Sequence, residues 1–203
     1  MLRSLALAAT LLIPAAAQAA VVSPTSYMYY AAPNSSGSAY EDDTYNGTLG
    51  QLADGISATT DWQPTDGFGA PGPNVGWLNV NPLILFSFDT VYQFSELVLN
   101  LQDGKGIAGV GLADSITVNG LTSPMLTGNG TAFSGAWDVT MDISSLAPTS
   151  TLMVEVHRGF QWTFLSEFTF STAEATAEVP LPAGLPLLLA GLGGLALIRR
   201  RKS

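Results

Sequence analysis

Residues 151–170 read TLMVEVHRGFQWTFLSEFTF, and their alternation decides the fold. Leu152, Val154 and Val156 alternate with Met153, Glu155 and His157. After a break at Arg158 and Gly159, Trp162, Phe164, Phe168 and Phe170 share one parity with Ser166, against Thr163, Leu165, Glu167 and Thr169. Successive side chains of a strand point to opposite faces, so period two on both sides of a turn signal predicts antiparallel strands, each with one buried face.

Outward from this stretch the same period recurs. Trp137, Val139, Met141 and Ile143 alternate with Asp138, Thr140 and Asp142, and Leu97, Leu99 and Leu101 alternate with Glu96, Val98 and Asn100. Residues 83–88 are a short apolar run, Ile116 and Val118 precede an Asn119-Gly120 turn, and Tyr27, Tyr29 and Tyr30 mark a first strand. Residues 61–81 break the rhythm. Pro64, Gly67, Gly69, Pro71, Gly72, Pro73 and Gly76 exclude a long helix or a central strand there, while Trp62, Phe68 and Trp77 favour an ordered loop. Between the chain ends no segment sustains helical periodicity. Six or more strands in one domain predict an all-β fold, an antiparallel β-sandwich.

The ends differ in kind from the middle. Residues 1–19 carry Arg3, an apolar run from Leu5 to Ile13, then Ala17-Gln18-Ala19. That order predicts a secretory signal peptide cleaved after Ala19, with a core too short to span a membrane. Residues 179–198 are 20 positions without a charge, enough for a helix to cross a hydrocarbon layer of roughly 30 Å. Arg199, Arg200, Arg201 and Lys202 follow as a basic stop that stays in the cytoplasm, which places everything before the span outside. The chain thus divides into a signal peptide (1–19), a sandwich (20–170), a small polar spacer (171–178) and a membrane tail (179–203).

The formal charge of −9 conceals an asymmetry. All 16 acidic residues lie between Glu41 and Glu178, and only Lys105 and Arg158 among the 7 bases fall outside the two ends, leaving the exported part near −14. Phosphate backbones are bound by Lys and Arg, so nucleic acid is excluded as a partner. With no Cys the fold is held without disulfides, and no zinc cluster can form. His157 is the only imidazole and lies on the outward parity of its strand, away from any Gly-x-Ser-x-Gly turn, so a Ser–His–Asp triad is not expected. Paired carboxylates for glycoside hydrolysis stay open, but nothing marks one pair; Asp42-Asp43 reads as a solvated acidic turn. A non-enzyme is expected.

Val179-Pro180-Leu181-Pro182-Ala183, the short Gly-containing span and the Arg-rich finish together resemble the PEP-CTERM sorting tails of bacteria, in their VPLPA variant. The resemblance covers about 25 residues. It implies recognition near those five residues by an exosortase, a membrane-embedded cysteine protease or transpeptidase, with this chain as its substrate. It also implies an inner-membrane intermediate and a final place on the cell surface or in the extracellular matrix of a Gram-negative-type bacterium.

Within the sandwich, Leu52-Ala53-Asp54-Gly55 followed by Thr60-Asp61-Trp62 is similar to the opening of discoidin-like, galactose-binding-like jelly rolls. Gly76-Trp77, Leu85-Phe86-Ser87-Phe88-Asp89 and Phe94-Ser95-Glu96-Leu97-Val98-Leu99 resemble their next strands, and Trp162 to Phe168 their closing one. The lack of Cys and the long Gly-rich stretch from Pro64 to Gly76 depart from that pattern. The resemblance implies a jelly-roll-like sandwich and a structural Ca²⁺ on Asp54, a hydroxyl or carbonyl of Thr60, and Glu167. Calcium takes six to eight hard oxygens. The alternative is an Asp54 that caps its own turn and a Glu167 that faces solvent.

Fold analogy favours carbohydrate as ligand. Phe68 and Trp77, in the Gly/Pro loop, are the platform candidates, with Trp62 and Trp162 packed in the core. Arg158 either binds a carboxylate or sugar hydroxyl or pairs with a surface Glu. The expectation is an exported protein whose sandwich binds extracellular polysaccharide. Its rivals are a matrix protein acting by display and self-association, and a carboxylate-based hydrolase.

Overall fold

Alternation becomes two sheets. The structure, a computed structural model, describes residues 19–33, 40–65, 72–128 and 134–172, all within one compact unit, Ala19–Ala173. Among them are ten strands: β1 (Val21–Val22), β2 (Ser26–Ala31), β3 (Val75–Leu78), β4 (Leu83–Tyr92), β5 (Phe94–Asp103), β6 (Ala113–Val118), β7 (Leu121–Thr122), β8 (Gly135–Asp142), β9 (Thr149–Arg158) and β10 (Trp162–Thr172). The rest of the regular structure is a one-turn helix, α1 (Trp62–Thr65), and 3₁₀ turns at Gln51–Ala53 and Ile107–Gly109. The signal peptide, the spacer beyond Thr172, the VPLPA motif, the membrane helix and the basic stop lie outside the described residues, as does Phe68. Among the described residues no helix is long and apolar enough to cross a membrane.

One sheet runs β1-β10-β5-β8, with β3 also on β10; the other runs β2-β4-β9-β6-β7. All strand pairs are antiparallel. From β4 onward the long strands alternate between the sheets, and the two faces they present to each other close one core. Leu97, Leu99 and Leu101 of β5 and Val139 and Met141 of β8 share it with Ile84 and Phe86 of β4, Ile116 of β6 and Leu152, Val154 and Val156 of β9. At its centre Phe86 lies 4.8 Å from the Phe168 ring and 4.9 Å from that of Phe170, bridging the sheets. Each such buried ring contributes about 1.5–3 kcal/mol by its removal from water. The Asn119-Gly120 turn forms as expected between β6 and β7, both residues at positive φ (46° and 87°), the geometry a two-residue hairpin needs.

Strand β10 departs from the expected single buried face. Thr163 through Phe168 are all buried, and the register slips between Leu165 and Glu167. The reason is a second cover. Residues 51–65 lie over the outer face of β10 and β5, where Asn100, expected in solvent, is 5% exposed. Ser166 Oγ accepts the Ala58 N–H (3.0 Å) and donates to Asn100 Oδ1 (2.5 Å), while Asn100 Nδ2 reaches the Ala58 carbonyl (3.3 Å). Gln102 Nε2 donates to the Thr60 carbonyl at 3.1 Å. Further along, Tyr40, Trp62, Val110 and Phe164 form a second apolar cluster with Trp162 against it.

The Asp42-Asp43 turn is also corrected. Asp42 is a structural acceptor: Tyr27 and Tyr29 each donate a phenol to Oδ2 at 2.5 Å, and the Gln51 N–H reaches Oδ1 at 2.9 Å. Beside a carboxylate and largely desolvated, both phenols are pushed far above their ordinary range. Residues 61–81 hold no long helix among those described, but they do contain α1 and β3, the latter confined to the margin of β10.

Replacing Phe86 by Ala removes the ring that joins the sheets and is expected to cost about 3–5 kcal/mol of stability. Urea unfolding with an unchanged m-value measures it; a loss under 1 kcal/mol would mean the sheets are held together elsewhere.

Candidate functional site

Of the two residues of the expected sugar platform, Phe68 lies outside the described residues and Trp77 is buried. Pairing of β3 with β10 sets Trp77 opposite Thr163 and turns the indole inward, where it is 1% exposed, lies 5.9 Å from the Tyr29 ring and donates its N–H to the Ala31 carbonyl at 2.9 Å. Trp62 and Trp162 do pack with other aromatics, around Tyr40 and Phe164. Arg158, at the end of β9, donates to the Phe160 carbonyl (3.2 Å) and forms no ion pair with a described Glu. A backbone acceptor two residues away is nearer than any carboxylate.

Of the expected calcium set, two residues meet and one does not. The opening loop packs beside the last strand, so Glu167 Oε2 accepts the Gly55 N–H at 3.1 Å next to Asp54. Asp54 also caps its own turn, Oδ1 accepting the Ile56 N–H at 2.8 Å. Thr60 does not line the cleft that Asp54 and Glu167 share, and its carbonyl accepts Gln102 Nε2. Among the described residues no group of three or more His, Cys, Asp or Glu is placed to hold a metal. Glu167 is 7% exposed at the back of a cleft of about 220 Å³ bounded by β1, the Asp54 turn and β10. Burial, with the Asp54 charge adding to it, raises its carboxyl to about 7, against a partial offset from the Gly55, Asp54 and Ile56 amides.

A second concavity lies on the lateral rim, where the edge strand of each sheet ends the sandwich: β8 in one, β7 in the other. Residues 121–127 form one wall and residues 137–142 the other, enclosing about 460 Å³. Trp137 sits in it half-buried, one side against the core. Among the described residues its ring meets no other aromatic and its N–H no acceptor, unlike Trp77. Met125, on the opposite wall, is 77% exposed. Sequence reading assigned Trp137 correctly to the inward parity of its strand. It missed the groove because parity does not say which strand ends a sheet.

Catalytic geometry is not apparent around the imidazole. His157 Nε2 shares a hydrogen bond with Thr117 Oγ1 at 2.8 Å, and Nδ1 is 3.7 Å from Glu155. No serine hydroxyl is hydrogen-bonded to that ring among the described residues. Comparison of the chain with protein-family models and with curated protein sequences returns no match.

Glu167 gives the domain a pH dependence of defined sign. Unfolded, the carboxyl ionises near its ordinary value of 4.5; folded, near 7. Below 4.5 both states hold the proton; between 4.5 and 7 the unfolded chain releases it first, so stability falls as pH rises, and the loss is complete above 7. Glu167→Gln is expected to flatten this slope. Urea unfolding of the two proteins at pH 5 and pH 8 measures it, and parallel behaviour would remove Glu167 from the account.

Proposed function

We propose that this is an exported, non-catalytic surface protein: a jelly-roll-like sandwich carried between a signal peptide and an exosortase-processed tail, which binds extracellular polysaccharide at the cell surface or in the matrix. The observation that supports this reading most directly is the pairing of the two ends of the folded unit. Val21 and Val22 lie opposite Ser171 and Phe170, and the Thr172 N–H reaches the Ala20 carbonyl at 2.9 Å. Cleavage after Ala19 and processing near Val179 to Ala183 would therefore leave every described strand in place. Both ends of the described domain lie at one sheet margin. The alternation of long strands between the sheets fits the jelly-roll connectivity that the discoidin-like resemblance implies.

A binding role accords with the surface. The described domain is rich in carboxylates and holds two bases, and its one imidazole is engaged with a threonine. The rival reading, a matrix protein acting by self-association, has to overcome the repulsion between copies charged near −14. Intact-mass measurement on the protein from its native surface tests export and sorting together. The expected mass begins at Ala20 and ends within the VPLPA region. A full-length polypeptide dissolved in the cytosol would end the proposal.

A bound Ca²⁺ remains part of this reading in reduced form. Asp54 and Glu167 supply two carboxylates to the cleft, and a cation between them would offset the repulsion that helps hold the Glu167 proton. Calcium added at pH 8 is then expected to raise the melting temperature by several degrees in the native protein and to have no effect in Glu167→Gln. An identical melting temperature with calcium and with chelator would discard the ion.

A further inference from the structure

We infer that the outer face of the sheet β2-β4-β9-β6-β7 is a self-recognition surface, on which two copies of this chain pair face to face about a two-fold axis lying over Leu85 and running along β4. Pairing of this kind is independent of the carbohydrate reading and stands or falls without it. The two sheets differ in what their outer faces carry. On the sheet of β10 and β5, residues 51–65 lie across polar side chains and bond to them. The other sheet turns an apolar row outward. Register sets Met28 opposite Leu85 and Leu85 opposite Met153, so the three share one face across β2, β4 and β9. Leu83 is the next outward residue of β4, and Tyr30 lies at the bulge opposite it. Met28 is 51% exposed and Tyr30 60%, while Leu83, Leu85 and Met153 are half-buried. Neither a hydrogen bond nor a ring contact engages the Tyr30 side chain among the described residues. Contiguous apolar surface gains about 25 cal/mol for each Å² removed from water, which favours covering this face.

Charge and register argue for a second copy as the occupant. Among the residues registered across this face Glu155 is the only carboxylate; it accepts Asn81 Nδ2 at 3.1 Å and has His157 Nδ1 3.7 Å away. The outer face of the other sheet carries Glu96, Asp138 and Asp142 on β5 and β8. Two strongly acidic copies therefore meet least repulsion when they approach through the β2-β4-β9 side. The row is also self-complementary. A two-fold axis along β4 sets Leu85 against Leu85 and Met28 of each copy against Met153 of the other, because the two methionines flank Leu85 on either side. In the next row it brings the Tyr30 side of one copy over the Glu155 side of the other, a phenol donor toward a carboxylate acceptor. Such a palindromic order is what an isologous interface needs and what a foreign partner does not. Five strands about 4.8 Å apart and six residues rising about 3.4 Å each give a face of about 500 Å² per copy, so the pair buries about 1,000 Å², the lower end for a specific interface. The dimer is accordingly weak, with a Kd expected in the micromolar range.

Sedimentation velocity on the protein recovered from its native cells tests the pair, from about 1 to about 100 µM, a range that brackets a micromolar Kd. A monomer–dimer equilibrium with no higher species is expected. Raising salt from about 0.1 M to about 1 M shortens the Debye length from about 10 Å to about 3 Å. Screening two copies of like charge is then expected to lower the Kd by about tenfold or more. Met28→Glu is expected to leave only monomer. Thr151→Glu is the second variant: its side chain is exposed on β9 in the row beyond Met153, so it charges the face without touching the interior, and the same loss is expected. Because the chain has no Cys, Leu85→Cys places a single thiol over the axis. A bismaleimide reaching about 10 Å, the spacing of packed sheets, is expected to link two such copies. Met125→Cys, 77% exposed and outside this face, is expected not to be linked. A monomer at the highest concentration and salt would overturn the pair, and protection of Leu85→Cys from maleimide in that monomer would assign the face to a segment of the same chain. A dimer that survives both Glu substitutions, weakens as salt rises or links equally through Met125→Cys would lie elsewhere and overturn the pair as well.

Discussion

Strand β10 has to be buried on both faces, and the rest of the structure is arranged to satisfy that. Its inner face is apolar and packs across the core through Phe168 and Phe170 onto Phe86. Its outer face carries Ser166 and Glu167, next to Asn100 and Gln102 of β5, and polar groups so deep in a protein are costly unless each finds a partner. The partner is the backbone of residues 55–60. That segment has no strand ladder of its own, so its amides and carbonyls need exactly the kind of side-chain donors and acceptors that β5 and β10 display. Each side satisfies much of the other, though Gln102 Oε1 and Thr163 Oγ1 stay buried without a partner among the described residues. The segment is consequently fixed, and with it the Asp54 turn is set beside Glu167.

The same cover explains why the aromatic residues divide as they do. A ring that closes a layer meets other rings: Trp77 with Tyr29, and Trp62 and Trp162 around Tyr40 and Phe164. Trp137 is at the last strand of its sheet, where there is no further strand or loop to complete its surroundings among the described residues. Its inner side is packed and its outer side opens onto the rim. Edge strands expose unpaired backbone and invite unwanted pairing. Here Asp138, Thr140 and Asp142 line that edge, and charge on an edge strand is a common means of discouraging such pairing.

Electrostatics point the same way across the molecule. The carboxylates are partitioned between structural acceptors, such as Asp42 beneath its two phenols, and surface groups that keep the domain strongly acidic. Glu167 differs from both: it accepts the Gly55 N–H, yet burial and a neighbouring Asp raise its carboxyl to about 7.

Sequence alone determined the all-β class, the positions of the long strands and the hairpin at Asn119-Gly120, because side-chain parity and the φ > 0 demand of a two-residue turn are local properties. It also yielded the proximity of Asp54 and Glu167, through resemblance and not through spacing. What tertiary structure decided was which strands are edges and which are sealed. Parity says which side of a strand a residue occupies, but it does not say whether that side meets a second layer or water. Asn100 stood on a polar parity and became buried because residues 51–65 cross over it; Trp137 stood on an apolar parity and stayed half-open because, among the described residues, no strand pairs with the outer side of β8. Trp77 looked exposed in a Gly/Pro-rich stretch and was drawn inward by a four-residue pairing with β10 that depends on contacts more than 80 residues away in the chain.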